Sequence, residues 1–220
     1  TAAADAGGAP EGAGADLVPR PQETDLASIL YTSGTTVDPK GVMLTHRNIV
    51  QNVISCRSVA DIGPDDRFLS VLPLAHSYEC TVGFLLPVAS GASVTYLGKP
   101  PTLTALLPAL AEVHPTMMLT VPLIMEKLYQ SRVKPVFAKN AITRALKHIA
   151  PLRKFVHRAA GKKAYEAFGG ALRFYGIGGA PLTPDTERFL REAKFPYAIG
   201  YGLTETAPLI AGTDAADTRF

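Results

Sequence analysis

The sequence predicts an α/β fold, a mostly parallel β-sheet flanked by helices. Short apolar, β-rich runs alternate with segments of helical period, and the intervening helices are long enough for right-handed crossovers between parallel strands. The 18 prolines and 19 glycines of the 220 residues would sit badly in a helical bundle. Here Pro64, Pro73, Pro101, Pro115, Pro122, Pro181, Pro184 and Pro196 fall at the joints between predicted elements.

Residues 1–16 hold seven Ala and four Gly and no large apolar side chain, so residues 1–25 are read as a flexible linker or surface loop. Order is expected from about Leu26, with one partial domain over 26–220. A strand at 27–31 is followed by a helix at 46–59, where apolar positions recur at helical spacing. The run 67–73 reads as a strand and 78–89 as a buried helix. Strand 93–97, helix 103–113, strand 116–121 and helix 123–130 continue the alternation. A long helical region at 142–168, broken near Pro151, precedes strand 172–176, helix 184–193 and strand 197–201. In sheets of this kind ligands collect beyond the carboxyl ends of the strands. The loops after Tyr31, Pro73, Gly176 and Tyr201 are therefore where chemistry is expected.

Composition limits the function. A chain this long buries roughly 70% of its unfolded surface, so it needs no disulfide or metal staple. The net charge is only +3, from 22 basic and 19 acidic residues, which argues against a nucleic-acid binder driven by overall charge. Cys56 and Cys80 stand far apart with no zinc-type spacing, which fits small buried side chains in a reducing cytosol. The richest apolar stretches, 82–89 and 117–125, are short and interrupted by Pro87 and Pro122, so no membrane-spanning helix is expected. Residues 1–16 have neither the basic start nor the apolar core of a signal peptide.

Three loops stand out. In the first, Tyr31, Thr32, Ser33, Gly34, Thr35, Thr36, Val37, Asp38, Pro39, Lys40 and Gly41 follow one another. Five hydroxyl or glycine residues in a row supply donors close to the main chain, and Lys40 adds a mobile cation, as a polyphosphate cradle needs. It is not a Walker A loop, because Gly34 is followed after four residues by Pro39 rather than by Gly, Lys and a hydroxyl residue. The alternative is a Ser/Thr-rich turn with a solvated lysine. The second is Gly178, Gly179, Ala180, Pro181 and Leu182, and the third is Tyr201, Gly202, Leu203, Thr204, Glu205 and Thr206. Taken alone these two read equally as a plain turn and a strand-end kink. A flat aromatic face and close glycine backbone suit a nucleobase, and a carboxylate beside a phosphate site calls for a hard cation between them.

The first loop resembles the phosphate loop of the adenylate-forming (AMP-binding) superfamily, which includes acyl-CoA synthetases, peptide-synthetase adenylation domains and firefly luciferase. The other two resemble that family's adenine-wall and nucleotide motifs, in family order. The resemblance implies that Thr32, Ser33, Gly34, Thr35, Thr36 and Lys40 hold the β- and γ-phosphates of ATP. It places Gly178, Gly179, Ala180, Pro181, Tyr201 and Gly202 around adenine, Thr204 on the α-phosphate and Glu205 on Mg²⁺. Leu72, Pro73, Leu74, Ala75, His76, Ser77, Tyr78 and Glu79 resemble the segment lining the family's acyl and pantetheine channels. There His76 either positions the carboxylate or gates the thiol path, or is simply a packed, hydrogen-bonded histidine. The segments look most like bacterial long-chain acyl-CoA synthetases.

The implied chemistry is a two-step ligase reaction: a fatty acid and MgATP give acyl-AMP, and CoA then displaces AMP. Thr204, Glu205 and His76 are the expected catalytic set. The alternatives are an acyl-AMP ligase serving a carrier protein and a non-catalytic nucleotide-binding module. Two departures qualify the resemblance. Val37 stands where the family has Gly, which at a position of positive φ would cost roughly 1 to 3 kcal/mol. The family's ribose-binding Arg-Thr-Gly-Asp-type segment and its C-terminal lid also have no counterpart, so the chain is expected to be an incomplete catalytic unit, inactive alone.

Residues 127–173 carry twelve Lys or Arg and only Glu166 as an acid. Ile142, Leu146, Ile149, Leu152 and Phe155 form an apolar set at near-helical spacing, with Arg144, Lys147, His148, Arg153, Lys154 and Arg158 between them. The stretch reads as a peripheral contact to an anionic membrane, as an attractor of CoA phosphates, or as a solvated outer helix. A cytoplasmic location, at most peripheral to the inner face of the membrane, is expected.

Overall fold

The computed structural model describes residues 20–32, 38–138, 148–213 and 215. Ser33, Gly34, Thr35, Thr36 and Val37 of the expected phosphate loop, and Ile142, Arg144, Leu146 and Lys147 of the basic stretch, lie outside them. The chain is tied down before Leu26. Arg47 N–H donates to Glu23 O and His46 N–H to Asp25 O, at 2.8 and 3.1 Å, which satisfies donors at the start of the first helix.

Strands β1 (Leu26–Thr32) and β2 (Lys40–Thr45) pair antiparallel, with Thr32 opposite Lys40, as a two-stranded sheet of their own. This corrects the expectation that the first strand joins the parallel sheet. In the sequence Lys40 and Gly41 read as loop, because the phosphate-loop motif masks the short β-branched run that follows Pro39. Helix α1 (His46–Arg57) starts at once on a reciprocal cap. The Thr45 hydroxyl accepts from Asn48 N–H, and the Asn48 side chain accepts from Thr45 N–H.

The main sheet has six strands in the order β4 (Ser93–Tyr96), β3 (Arg67–Ser70), β5 (Met117–Thr120), β6 (Phe174–Ile177), β7 (Tyr197–Gly202) and β8 (Leu209–Gly212). All neighbours are parallel except β7 and β8. The fold class agrees with the sequence expectation, while β8 was missed because Pro208 precedes it and the run is only four residues long. The strand expected at 67–73 stops at Ser70, releasing Leu72 to His76 into the loop that matters below.

Helices cover both faces, and alternation along the strands decides which face each side chain joins. Met118, Tyr175, Ile177 and Tyr197 pack under α3 (Leu103–Val113), α4 (Pro122–Leu128), α6 (Ala150–Ala167) and α7 (Pro184–Ala193). A short helix, α5 (Lys134–Ala138), follows α4 through a π-helical turn, Tyr129–Val133. Leu119 and Phe174 point the other way, towards Val53 and Cys56 of α1 and Val82 and Leu86. The expected helix at 78–89 is wound as a π-helix over Glu79–Leu85, continuing into α2 (Leu86–Ala89). Phe168, Tyr175 and Phe195 meet edge to face with centroids 5.4 to 5.7 Å apart. Cys56 is buried as expected, whereas Cys80 is only half-buried.

The amino-terminal edge of the sheet is closed by Asp66. Its carboxylate accepts from Arg173 Nε at 2.9 Å, from a second Arg173 nitrogen, from Thr116 Oγ1 at 2.6 Å and from Gly63 N–H at 2.9 Å. Burial pushes the Asp66 carboxyl up, but these partners outweigh it and hold the group below its usual value.

Helix α6 corrects the phase expected for the basic stretch. Ile149, Leu152 and Phe155 are exposed, while His157, Gly161 and Ala164 are buried. Arg153, expected on the solvated side, turns inward and grips Glu192 with Nε and Nη2 at 3.0 and 2.7 Å. Close packing on α7 decides the phase: a Cβ on Gly161 would stand 2.4 Å from that of Ala193.

Candidate functional site

The carboxyl ends of β3, β5, β6 and β7 release four loops on the same side of the sheet. They enclose a cleft of about 290 Å³ whose wall includes Leu72, His76 and Tyr78, then Val121, Gly178 and Gly179, and then Gly202, Leu203 and Thr204. Parallel pairing is what brings residues this far apart in sequence to one edge. Of the expected site residues, the cleft gathers His76, Gly178, Gly179, Gly202 and Thr204. Ala180 and Pro181 are exposed in the next turn, outside its lining. Tyr201 and Glu205 are also exposed and do not line it, Tyr201 with 62% of its surface free.

The turn that carries Thr204 and Glu205 is rigid. Thr206 Oγ1 accepts from Leu203 N–H at 3.0 Å and also bonds the Leu203 and Pro208 carbonyls. The third hydroxyl of the motif thus holds the 3₁₀ turn Thr204–Thr206, leaving the Thr204 and Glu205 side chains without a structural duty in it. Asn52 of α1 ties the same turn from behind, donating Nδ2 to Thr206 O at 3.2 Å and to Leu209 O at 2.7 Å. Strand β2, which starts at Lys40 opposite Thr32, packs beside this turn, but neither Lys40 nor Thr32 lines the cleft. Gly202 is required by close approach, since a Cβ there would lie 1.9 Å from Pro208 O.

Tyr78 and Glu79 belong to the segment that resembles the family's channel lining, where the sequence assigns them no role of their own. The Tyr78 ring stands between the cleft and a smaller apolar cavity of about 50 Å³ lined by Cys56, Phe68, Val82, Leu86, Leu119 and Phe174. Tyr78 is half-buried and lines both spaces. Burial, then the neighbouring Glu79, pushes its phenol well up. Glu79 is 1% exposed and receives the Ser70 hydroxyl at 2.5 Å, while its Oε2 has no hydrogen-bond partner among the described residues. Burial pushes its carboxyl up to about 6, with the Ser70 bond opposing. Gly83 makes the room, because a Cβ there would stand 2.6 Å from the Glu79 carboxyl carbon. A π-helix beside a cleft was the missed signal, and no periodicity in the sequence announces one.

Among the described residues no group of three or more His, Cys, Asp or Glu could hold a metal by itself. Glu205, exposed in the turn beside the cleft, suits an ion shared with phosphate oxygens rather than a protein cage. No helix among the described residues is long and apolar enough to cross a membrane.

The family model described as AMP-binding enzyme matches residues 2–219. A curated relative named long chain acyl-CoA synthetase 7, peroxisomal, from Arabidopsis thaliana, is 35% identical over 212 residues, covering 90% of this chain and 30% of the relative. Long-chain-fatty-acid–CoA ligase 3 of Saccharomyces cerevisiae is 36% identical over 202 residues, covering 84% and 29%. These relatives come from a plant and a yeast, where the sequence reading pointed to bacterial enzymes. Among solved structures, apo MatB from Rhodopseudomonas palustris superposes with a TM-score of 0.67 at 25% identity, covering 92% of this chain and 34% of that one. The o-succinylbenzoate CoA synthetase of Bacillus subtilis, in complex with its acyl-adenylate intermediate, gives 0.66 at 23%, covering 89% and 33%. The chain spans about 30% of the length of the curated relatives named here.

Proposed function

The chain belongs to the family of AMP-binding enzymes, and from that membership we propose that the intact protein is a fatty-acid–CoA ligase. It would activate a fatty acid with ATP to acyl-AMP and pass the acyl group to CoA. The observation that carries this reading is the convergence of His76, Gly178, Gly179, Gly202 and Thr204 on one cleft at the carboxyl edge of the sheet. The loops that carry them resemble the family motifs in family order, and the named curated relatives are long-chain acyl-CoA synthetases.

In this reading the residues act by positioning and by charge. Thr32, Ser33, Gly34, Thr35, Thr36 and Lys40 hold the β- and γ-phosphates. The backbone of Gly178 and Gly179, with Ala180, Pro181, Gly202 and the exposed ring of Tyr201, forms the adenine wall. Thr204 donates its hydroxyl to the α-phosphate. Glu205 holds Mg²⁺, which when bound neutralises phosphate charge. His76 lies on the cleft wall within reach of the reacting carboxylate. The acyl tail would pass Tyr78 into the apolar cavity, whose present volume of about 50 Å³ holds little more than one or two waters, so the wall must open. Peripheral contact with a membrane, and a cytoplasmic location, belong to the same proposal.

The test is fatty-acid-dependent exchange of pyrophosphate into ATP by the intact protein, followed by thioester formation with CoA or with an acyl-carrier protein. Exchange with a long-chain acid and transfer to CoA are expected. Glu205→Ala should lower exchange at limiting Mg²⁺ by about a hundredfold, with partial recovery at high Mg²⁺. Transfer to carrier protein alone would select the acyl-AMP ligase. Nucleotide binding without exchange would reduce the protein to a binding module.

A further inference from the structure

We propose that the outer surface of α6 and α7 is a docking face for an anionic lipid membrane, with Phe155 entering the headgroup layer and a cationic cleft beside it receiving lipid phosphates. The proposal deepens the reading above, because a bilayer is a reservoir of long-chain acids, but vesicle binding is read without turnover.

An open cleft of about 410 Å³ runs between the two helices, lined by Lys154, Arg158, Arg188, Arg191 and Lys194 together with Glu192. The one acid in that wall is already committed. Its carboxylate takes Arg153 Nη2 at 2.7 Å and lies 2.8 Å from His157 Nδ1, and despite burial Arg153 holds it below its usual value. Two other acids lie near: Asp185, 3.8 Å from Arg188, and Glu187, which is buried. The cleft is thus strongly positive, and the sequence placed only two of its cations in the basic stretch. Arg188, Arg191 and Lys194 arrive from α7 and the residue after it through tertiary packing.

An apolar component lies beside this charge. Phe155 is 73% exposed, adjacent in sequence to Lys154 and one turn from Arg158; Leu152 on the same helix and Ile149 just before it are exposed too. An exposed aromatic ring beside cations is poorly served by a soluble phosphate, which would leave the ring in water. A membrane surface offers phosphates in a plane and an apolar layer beneath them, complementing both parts at once. The close seating of Gly161 on Ala193 holds the two rows of cations in one rigid surface, so little ordering is needed on docking.

The experiment is flotation of the intact protein with vesicles of phosphatidylcholine alone and mixed with phosphatidylglycerol, at about 50 and about 500 mM salt. Binding to the mixed vesicles at low salt, falling at high salt, is expected. Joint Arg158→Glu and Arg188→Glu changes should lower it at least about tenfold, since each cation near such a surface is worth about fivefold. Phe155→Ser should weaken it about fivefold, and Phe155→Trp should keep it and add a blue-shifted emission when vesicles are present. Thermal melts check that the variants fold. No vesicle binding, or an equal loss from Lys99→Glu on a distant exposed site, would overturn the proposal. So would glycerol 3-phosphate binding in the cleft that matches vesicle binding and ignores Phe155→Ser, the mark of a soluble-phosphate site. Fatty-acid exchange without vesicle binding would sink the docking face alone, and vesicle binding without exchange would sink the ligase reading alone.

Discussion

Two buried carboxylates stand at opposite ends of β3, and their surroundings treat them in opposite ways. Asp66, just before the strand, is met by Arg173, Thr116 and the Gly63 amide, and its carboxyl is held below its usual value. Glu79 reaches the other end through the Ser70 hydroxyl alone and is pushed up to about 6. The amino-terminal edge is a finished joint in which every strong donor has its acceptor. The carboxyl edge, where the loops open into the cleft, leaves a buried oxygen short of partners, and such groups concentrate where structure serves something besides stability. One sheet therefore divides its labour between its two ends.

Variants can break this contrast. The largest expected effect is Asp66→Ala, which leaves Thr116, the Gly63 amide and part of Arg173 without their acceptor. It should cost about 3 kcal/mol in chemical denaturation, towards the low end for a broken pair because Arg173 is 45% exposed. Affinity for ATP should stay within about twofold, and a large loss there would mean the two edges are coupled. Next is Gly202→Ala, whose Cβ would lie 1.9 Å from Pro208 O and force the backbone aside. Exchange activity should fall about a hundredfold as the turn is displaced, with a lower melting temperature from the same backbone clash.

Glu79→Gln sharpens the comparison through pH. A raised carboxyl pKa lets the folded chain keep a proton that the unfolded chain has released above its ordinary value of 4.5. The stabilisation is therefore full below about pH 4.5 and lost as pH rises through about 6, a swing of about 2 kcal/mol. Asp66 runs the opposite way, losing its contribution as pH falls through its lowered value. Wild-type melting between pH 5 and 7.5 should decline by that contribution, and the Gln variant should flatten it; an unchanged slope would put Glu79 in a more solvated state. The smallest effect is Asn52→Ala, which frees the Thr206 and Leu209 carbonyls and should lower exchange about tenfold.

The local elements were largely legible. Helices 103–113 and 184–193 were placed to the residue, because a helix closes its hydrogen bonds within its own segment and its period shows in that segment. The position of the loops at the carboxyl ends of the strands was legible too, since runs such as Thr204 and Glu205 after Gly202 are contiguous. The pairing of β1 with β2, the edge strand β8 and the π-helical winding at Glu79 were not, because each depends on a partner distant in sequence or on a cavity beside it.

By itself the sequence determined the alternation of strands and helices, the polar character of the three loops and the abundance of cations in 127–173. Tertiary structure alone decided which of those cations face outward. Arg153 turned in to Glu192, Phe155 was left in water, and Arg188, Arg191 and Lys194 came alongside Lys154 and Arg158. The same holds for the two carboxylates: an Asp and a Glu differ by one methylene in sequence, and only their neighbours make one a charged latch and the other a proton-holding group. Backbone periodicity is a local property that a sequence carries openly, whereas burial and charge state are set by what folds against a residue.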